Sequence, residues 1–152
     1  MKPATHRLVQ VVWTGPFPAQ RVKTEKMGSE CGIYQLIGQH VVFGPDSLLY
    51  IGMTGSQTFA RRLKQHDRWL KNELDISVRL GAVASQVDGS DVLADVEALT
   101  IWWHSPPYNS KGIWRYDRQP LWIRNEGARG RVLPEYSSHW TTDRTPPDEG
   151  TA

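Results

Sequence analysis

Cysteine is nearly absent from this chain: Cys31 stands alone among 152 residues. A single thiol excludes an intramolecular disulfide framework and any cysteine-rich zinc site, and it suits a reducing compartment. A long hydrophobic run is missing too. The apolar stretches of residues 1–20 are broken by Thr14, Gly15, Pro16 and Pro18, and no segment approaches the roughly 20 apolar residues of a membrane helix. The expected location is therefore cytoplasmic, with no membrane partner. Excess charge of one sign is lacking as well. Eighteen Lys and Arg against 16 Asp and Glu leave +2, too little to announce a nucleic-acid partner by itself. No internal repeat is present.

What remains is an ordinary apolar fraction, 39%, enough for one domain with a real core. The positive charge is unevenly placed. Residues 61–79 carry six Lys or Arg against three acids, and residues 111–131 carry six against two. Either segment can face phosphate, the plainer alternative being solvated surface charge.

The most informative residues are two tripeptides, Gly32-Ile33-Tyr34 and Tyr50-Ile51-Gly52. Each lies in a β-type stretch, 31–37 and 41–52, and Gly44-Pro45-Asp46-Ser47 between them has turn chemistry, so the pair reads as one hairpin. Ser56 is placed to cap a helix running to about Leu70, with Phe59, Leu63 and Leu70 as its apolar stripe and Arg62 and His66 flanking that stripe four apart. Residues 76–83 read as a third strand. Ser90 or Asp91 caps a second helix over about 92–103, closed by Pro106-Pro107. Glu97 lies mid-helix, one turn from Leu93 and Ile101, which predicts partial burial of its carboxylate. A short strand or arm is expected over Leu8 to Trp13, followed by a loop through Gly15-Pro16-Phe17-Pro18, and a last strand over 121–124.

This order predicts an α+β fold: a small, largely antiparallel, three- to four-stranded sheet flanked by helices. The expected layout is an N-terminal arm (1–29), a core (30–110), a basic and aromatic extension packed on it (111–140) and a disordered tail (141–152). Seven tryptophans are many for this length. Most are expected in packing roles, while Trp114 and Tyr116, interleaved with Arg115 and Arg118, have the alternative of stacking on bases of a single strand.

The two tripeptides on one hairpin resemble the GIY-YIG endonuclease domain, and the likeness covers about half the chain, residues 31–109. Phe59-Ala60-Arg61-Arg62-Leu63-Lys64-Gln65-His66 looks like that family's arginine helix, with Arg62 best matching its arginine and Arg61 the fallback. Glu97 stands at the place of the family's metal-binding glutamate, and Asn109 in Ser105-Pro106-Pro107-Tyr108-Asn109 at that of its closing asparagine. The resemblance implies a divalent-metal-dependent endonuclease acting on DNA and leaving 5′-phosphate and 3′-hydroxyl ends. Mg²⁺ would be held by Glu97, with Mn²⁺ able to substitute. A ribonuclease, or a binding module that keeps the fold but cleaves little, are the alternatives.

Under this reading Arg62 grips the scissile phosphate. Tyr34 orients or deprotonates the attacking water, and Tyr50 hydrogen-bonds in the same network. His66 contacts phosphate or relays a proton. Asn109 fixes the site's backbone or a tyrosine. Arg61, Lys64, Lys111 and Arg115 are candidates for further substrate contacts. One departure from the family stands out, because Met53 occupies the position where many members carry lysine.

Overall fold

The structure is a computed structural model that describes residues 6–66, 75–84 and 90–144. It is an α+β fold built on six strands: β1 (Arg7–Pro18), β2 (Ile33–His40), β3 (Gly44–Met53), β4 (Ser77–Ala84), β5 (Leu121–Gly127) and β6 (Glu135–Ser137). They form one curled, half-barrel sheet in the order β3-β2-β4-β1-β5-β6. Among the described residues three helices flank it: α1 (Ala19–Thr24), α2 (Phe59–Gln65) and α3 (Ser90–His104). No helix among the described residues is long and apolar enough to cross a membrane.

The sheet corrects the expectation of three to four largely antiparallel strands. It is mixed, because β1 runs antiparallel to β4 but parallel to β5. The segment read as a short strand or arm spans twelve residues in the middle of the sheet. Val9, Val11 and Trp13 point into the core while Leu8 and Val12 point out, the period-two alternation of a strand with one buried face. Gly15 and Pro16 do not end it. The register shifts between Thr14 and Phe17, and pairing resumes at Phe17↔Val78, so the bulge absorbs the proline that a regular ladder would reject. At the other side β5 gains a three-residue edge partner, β6, too short to show in sequence periodicity.

The β2–β3 hairpin forms, with its turn displaced from the expected place. Gly44-Pro45-Asp46-Ser47 lies inside β3, and the chain reverses at Val41, Val42 and Phe43, which are 100, 78 and 65% exposed. His40 makes this apolar turn possible: its Nδ1 accepts bonds from the backbone N–H groups of Val42 and Phe43 at 3.1 and 3.2 Å, and its ring stacks on Phe43. A second irregularity sits at Leu49, the extra residue between the pairs Leu36↔Tyr50 and Ile37↔Leu48. This bulge brings Tyr50 to the same side of the sheet as Tyr34 and Leu36.

α1 and α2 cover one face over Tyr34, Leu36, Leu49, Phe59, Leu63 and Val78, and α3 covers the other over Val11, Trp13, Ile33, Ile51, Leu99 and Ile123. α2 is capped by Thr58, whose side chain accepts from the Arg61 N–H, in place of the expected Ser56. The expected end of that helix, Leu70, lies outside the described residues, as do Arg68 and Lys71. α3 begins at Ser90, and the capping side chains expected at Ser90 or Asp91 lie outside the description. Of the segment expected to be disordered, 141–144 is placed: Arg144 stacks its guanidinium 4.0 Å over Trp102 and donates to the Ser105 hydroxyl and the Ile113 carbonyl. Residues 145–152 lie outside the described residues.

His104, at the end of α3, ties the helix to the loop before β6. Its Nδ1 donates to the Thr100 carbonyl at 2.7 Å while Nε2 accepts from the Leu133 N–H at 2.9 Å, which requires the neutral ring. Burial pushes its pKa below the ordinary histidine value. The unfolded chain therefore takes up the proton first, and stability is lost as pH falls through about 6.5 until the folded ring itself protonates. Urea titrations between pH 7.5 and 5 should show this loss, and His104→Leu should be less stable at pH 7.5 with a visibly flatter pH dependence; an unchanged slope would remove His104 as the cause.

Candidate active site

The hairpin, α2, α3 and the loop after α3 converge at the β3 edge of the sheet. Tyr34 and Gly52 face each other across the hairpin. A methyl group at position 52 would lie 2.7 Å from Tyr50 Cε1 and closer still to the Tyr34 phenol. Glycine is therefore required there for room, since the Tyr34 ring lies over its Cα. Gly32, at the start of the hairpin, is constrained similarly, because a side chain would run into the Gly81 carbonyl. The hairpin end is closed by Thr54, which donates its N–H to the Gly32 carbonyl and accepts the Gly32 N–H on its hydroxyl, both at 3.0 Å.

Tyr34 is fully buried. Its hydroxyl lies 2.6 Å from His66 Nε2, and His66, buried at the end of α2, also packs its ring 5.0 Å from that of Tyr50. The Tyr34 and Tyr50 hydroxyls hydrogen-bond each other, and the Arg62 guanidinium faces both. Burial raises the pKa of Tyr34 far above its ordinary value, and the neighbouring Tyr50 adds to this against the opposing charge of Arg62. Tyr50 is shifted the same way, again chiefly by burial. Both are neutral phenols near pH 7, so the positive charge of Arg62 does not by itself produce a phenolate.

Beside them opens a polar cleft of about 480 Å³. Tyr50, Arg62, Glu97, Asn109, Lys111 and Arg115 all line it. Tyr34 and His66 do not, lying one layer behind Tyr50, and Arg61 and Lys64 are exposed on α2 away from the lining. Burial also raises the Glu97 pKa, opposed by Arg62, Arg118 and a hydrogen bond from the Met53 backbone. Met53 thus contributes its N–H where the family pattern would place a cationic side chain. Arg62 donates to Gln65 at 2.8 Å, yet its buried Nε has no partner among the described residues. A guanidinium that lines an open cleft is suited to an anionic ligand.

Asn109 closes the edge of β3. Its amide accepts from the Ile51 N–H and donates to the Ile51 carbonyl, each at 2.9 Å, while the Tyr108 N–H reaches the Leu49 carbonyl. One side chain thereby supplies both bonds of a missing neighbouring strand. Sequence reasoning did not single out two further lining residues. Arg118 pairs with the largely buried carboxylate of Asp95 at 3.2 Å and sits close enough to Glu97 to shift it. Tyr108 lines the mouth and reaches the hairpin turn through His40. Arg118 had been visible only as one charge in the basic segment, because its partners are 21 and 23 positions away.

Among the described residues no group of three or more His, Cys, Asp or Glu converges. The donor set of the cleft is one half-buried carboxylate, Glu97, with the exposed Asp117 on its rim 3.8 Å from Arg115. That set does not suit a zinc ion needing three or four protein ligands. It does suit a hard cation that keeps its waters and takes substrate oxygens as further ligands.

Two substitutions test this geometry. Gly52→Ala should cost about 1–3 kcal/mol by overpacking, read as a lower urea midpoint, and should shift the tyrosine signals of the site; a neutral substitution would mean that Tyr34 does not lie over Gly52. Glu97→Gln should raise the Tm of the metal-free protein at pH 7 and have little effect at pH 4. An acid whose folded pKa is raised contributes stability at low pH that is lost as pH rises through the glutamate range. An equal effect at both pH values would contradict the burial of the charge. No family model, curated protein or solved structure matches this chain.

Proposed function

We propose that the cleft hydrolyses phosphodiester bonds of DNA, as a divalent-metal-dependent endonuclease of GIY-YIG type. The observation that carries this reading is the convergence of Tyr50, Arg62 and Glu97 on one polar cleft, with Tyr34 and His66 packed directly behind Tyr50. Glu97, and no other half-buried carboxylate of the lining, would hold Mg²⁺ or Mn²⁺. Bound there, such a cation supplies Lewis-acid stabilisation of the departing 3′-oxygen.

The protein's own groups account for the rest. Arg62, which lines the cleft, offers its guanidinium to a non-bridging phosphate oxygen, with Lys111 and Arg115 along the cleft to hold the flanking backbone. The attacking water forms its bond to phosphorus as the P–O3′ bond breaks, and the departing 3′-oxygen takes its proton from solvent. Because Tyr34 is buried behind Tyr50, the phenol meeting that water is Tyr50. The water's proton passes to the Tyr50 hydroxyl as Tyr50 gives its own to Tyr34, and Tyr34 gives its proton to His66 Nε2. His66 is then the terminal base, so neither phenol needs to exist as a stable phenolate. This reverses the order of the tyrosines expected from sequence. Asn109 positions the strand that carries Tyr50.

The test is cleavage of labelled single- and double-stranded DNA and RNA with Mg²⁺, Mn²⁺ or EDTA. DNA should be cut only with metal, Glu97→Ala should abolish cutting, and Arg62→Ala should lower it by about 10²–10³. Tyr50→Phe and His66→Ala should each lose about 10²-fold or more with substrate binding retained. Cutting indifferent to Glu97→Ala would overturn the assignment. Binding without metal-dependent cutting would identify a binding module, and preferential cutting of RNA a ribonuclease.

A further inference from the structure

A second cavity of about 540 Å³ lies at the β5–β6 edge, lined by His6, Trp103, Trp122, Glu135, His139 and Trp140. Aromatic side chains usually earn their place by burial, yet here Trp122 is 44% and Trp140 71% exposed. Nothing in the nuclease reading uses them. We propose that this pocket binds an unpaired guanine base.

The recognition chemistry comes from Glu135. One of its carboxylate oxygens is fixed by the Trp122 indole N–H at 2.6 Å, and Arg124 approaches the same oxygen at 3.6 Å. The Glu135 carboxylate, which lines the pocket while remaining exposed, can only accept hydrogen bonds. Among the four bases, only guanine presents two adjacent donors, N1–H and the N2 amino group, on its Watson–Crick edge. Adenine and cytosine each set a ring-nitrogen acceptor beside their amino group, and uracil flanks its N–H with two carbonyls, so each would bring lone pairs against the carboxylate.

The walls supply stacking surface. Trp122 and Trp140 both line the cavity and make no ring contact with each other among the described residues. His139 packs edge-on against Trp140 at 4.7 Å and against His6 at 5.7 Å, which holds the outer wall in place. The 3-10 turn carrying Trp140 is anchored in turn: the Ser138 hydroxyl accepts the Leu121 N–H at 2.9 Å. Trp103 is fixed by its own bond to the Ser137 carbonyl at 3.0 Å. The pocket is thus preorganised, and base stacking on such surfaces contributes substantially to binding.

Nucleosides are the right probes, since they carry no phosphate for the cleft arginines and so report on this pocket independently of the nuclease reading. ¹⁵N-resolved spectra of the tryptophan indole N–H groups, titrated with guanosine, adenosine, cytidine and uridine, should show saturable shifts at Trp122 and Trp140. Guanosine should bind at least about tenfold tighter than the others. Trp140→Ala, at an exposed position that leaves the fold intact, should weaken guanosine by about 5- to 100-fold. Glu135→Gln should erase the preference while leaving the tryptophan spectrum folded. The absence of saturable shifts, equal affinity for all four nucleosides, or a preference that survives Glu135→Gln would each overturn the proposal.

Discussion

The packing of the Tyr34 ring over the bare Cα of Gly52 is the constraint on which the site rests. It puts a bulky phenol at the centre of the hairpin with its hydroxyl aimed at α2, where His66 receives it. The same contact brings the Tyr34 hydroxyl to that of Tyr50, and the Leu49 bulge ensures that both rings share one face. A buried hydroxyl must find a partner, so the position of α2 follows from the hairpin: His66 and Arg62, one turn apart, are delivered together. The glycine in Tyr50-Ile51-Gly52 thus acts as space for a residue 18 positions earlier in the chain.

Electrostatics around Glu97 follow from its location between two layers. α3 lies on the opposite face of the sheet from α2, yet its carboxylate meets Arg62 because β3 ends there and its last N–H, from Met53, turns toward the acid. Burial raises the cost of the charge, and Arg62 and Arg118 lower it. Arg118 is itself held by Asp95. The result is a carboxylate whose charge is disfavoured by burial and favoured by two arginines.

The sequence displays the hairpin, the arginine helix, the following strand and the helix bearing Glu97, because each has local periodicity and flanking turn chemistry. Its limits are equally physical. β1 was obscured by Gly15, Pro16 and Pro18, whose turn character is overridden by a bulge paired to β4, and β6 is too short for any pattern. The turn was misplaced because Val41, Val42 and Phe43 look like strand, and only the His40 side chain, bonding two backbone groups, explains a reversal there. The motif named six residues that the fold gathers together, but it did not give their layering: only the fold puts Tyr34 and His66 behind Tyr50 and brings Arg118 beside Glu97.

The parallel pairing of β1 with β5 carries a consequence for how the molecule forms. Arg7 aligns with Leu121, so a central seam of the sheet joins segments separated by nearly the whole described chain. Closing so long a loop costs entropy before its contacts give any return. On a ribosome, one side of β1 stays without its partner until β5 has emerged, which leaves an open strand edge while the residues between them are made. The hairpin and its tyrosines can assemble from neighbouring segments, whereas the sheet that steadies them is completed only once β5 arrives.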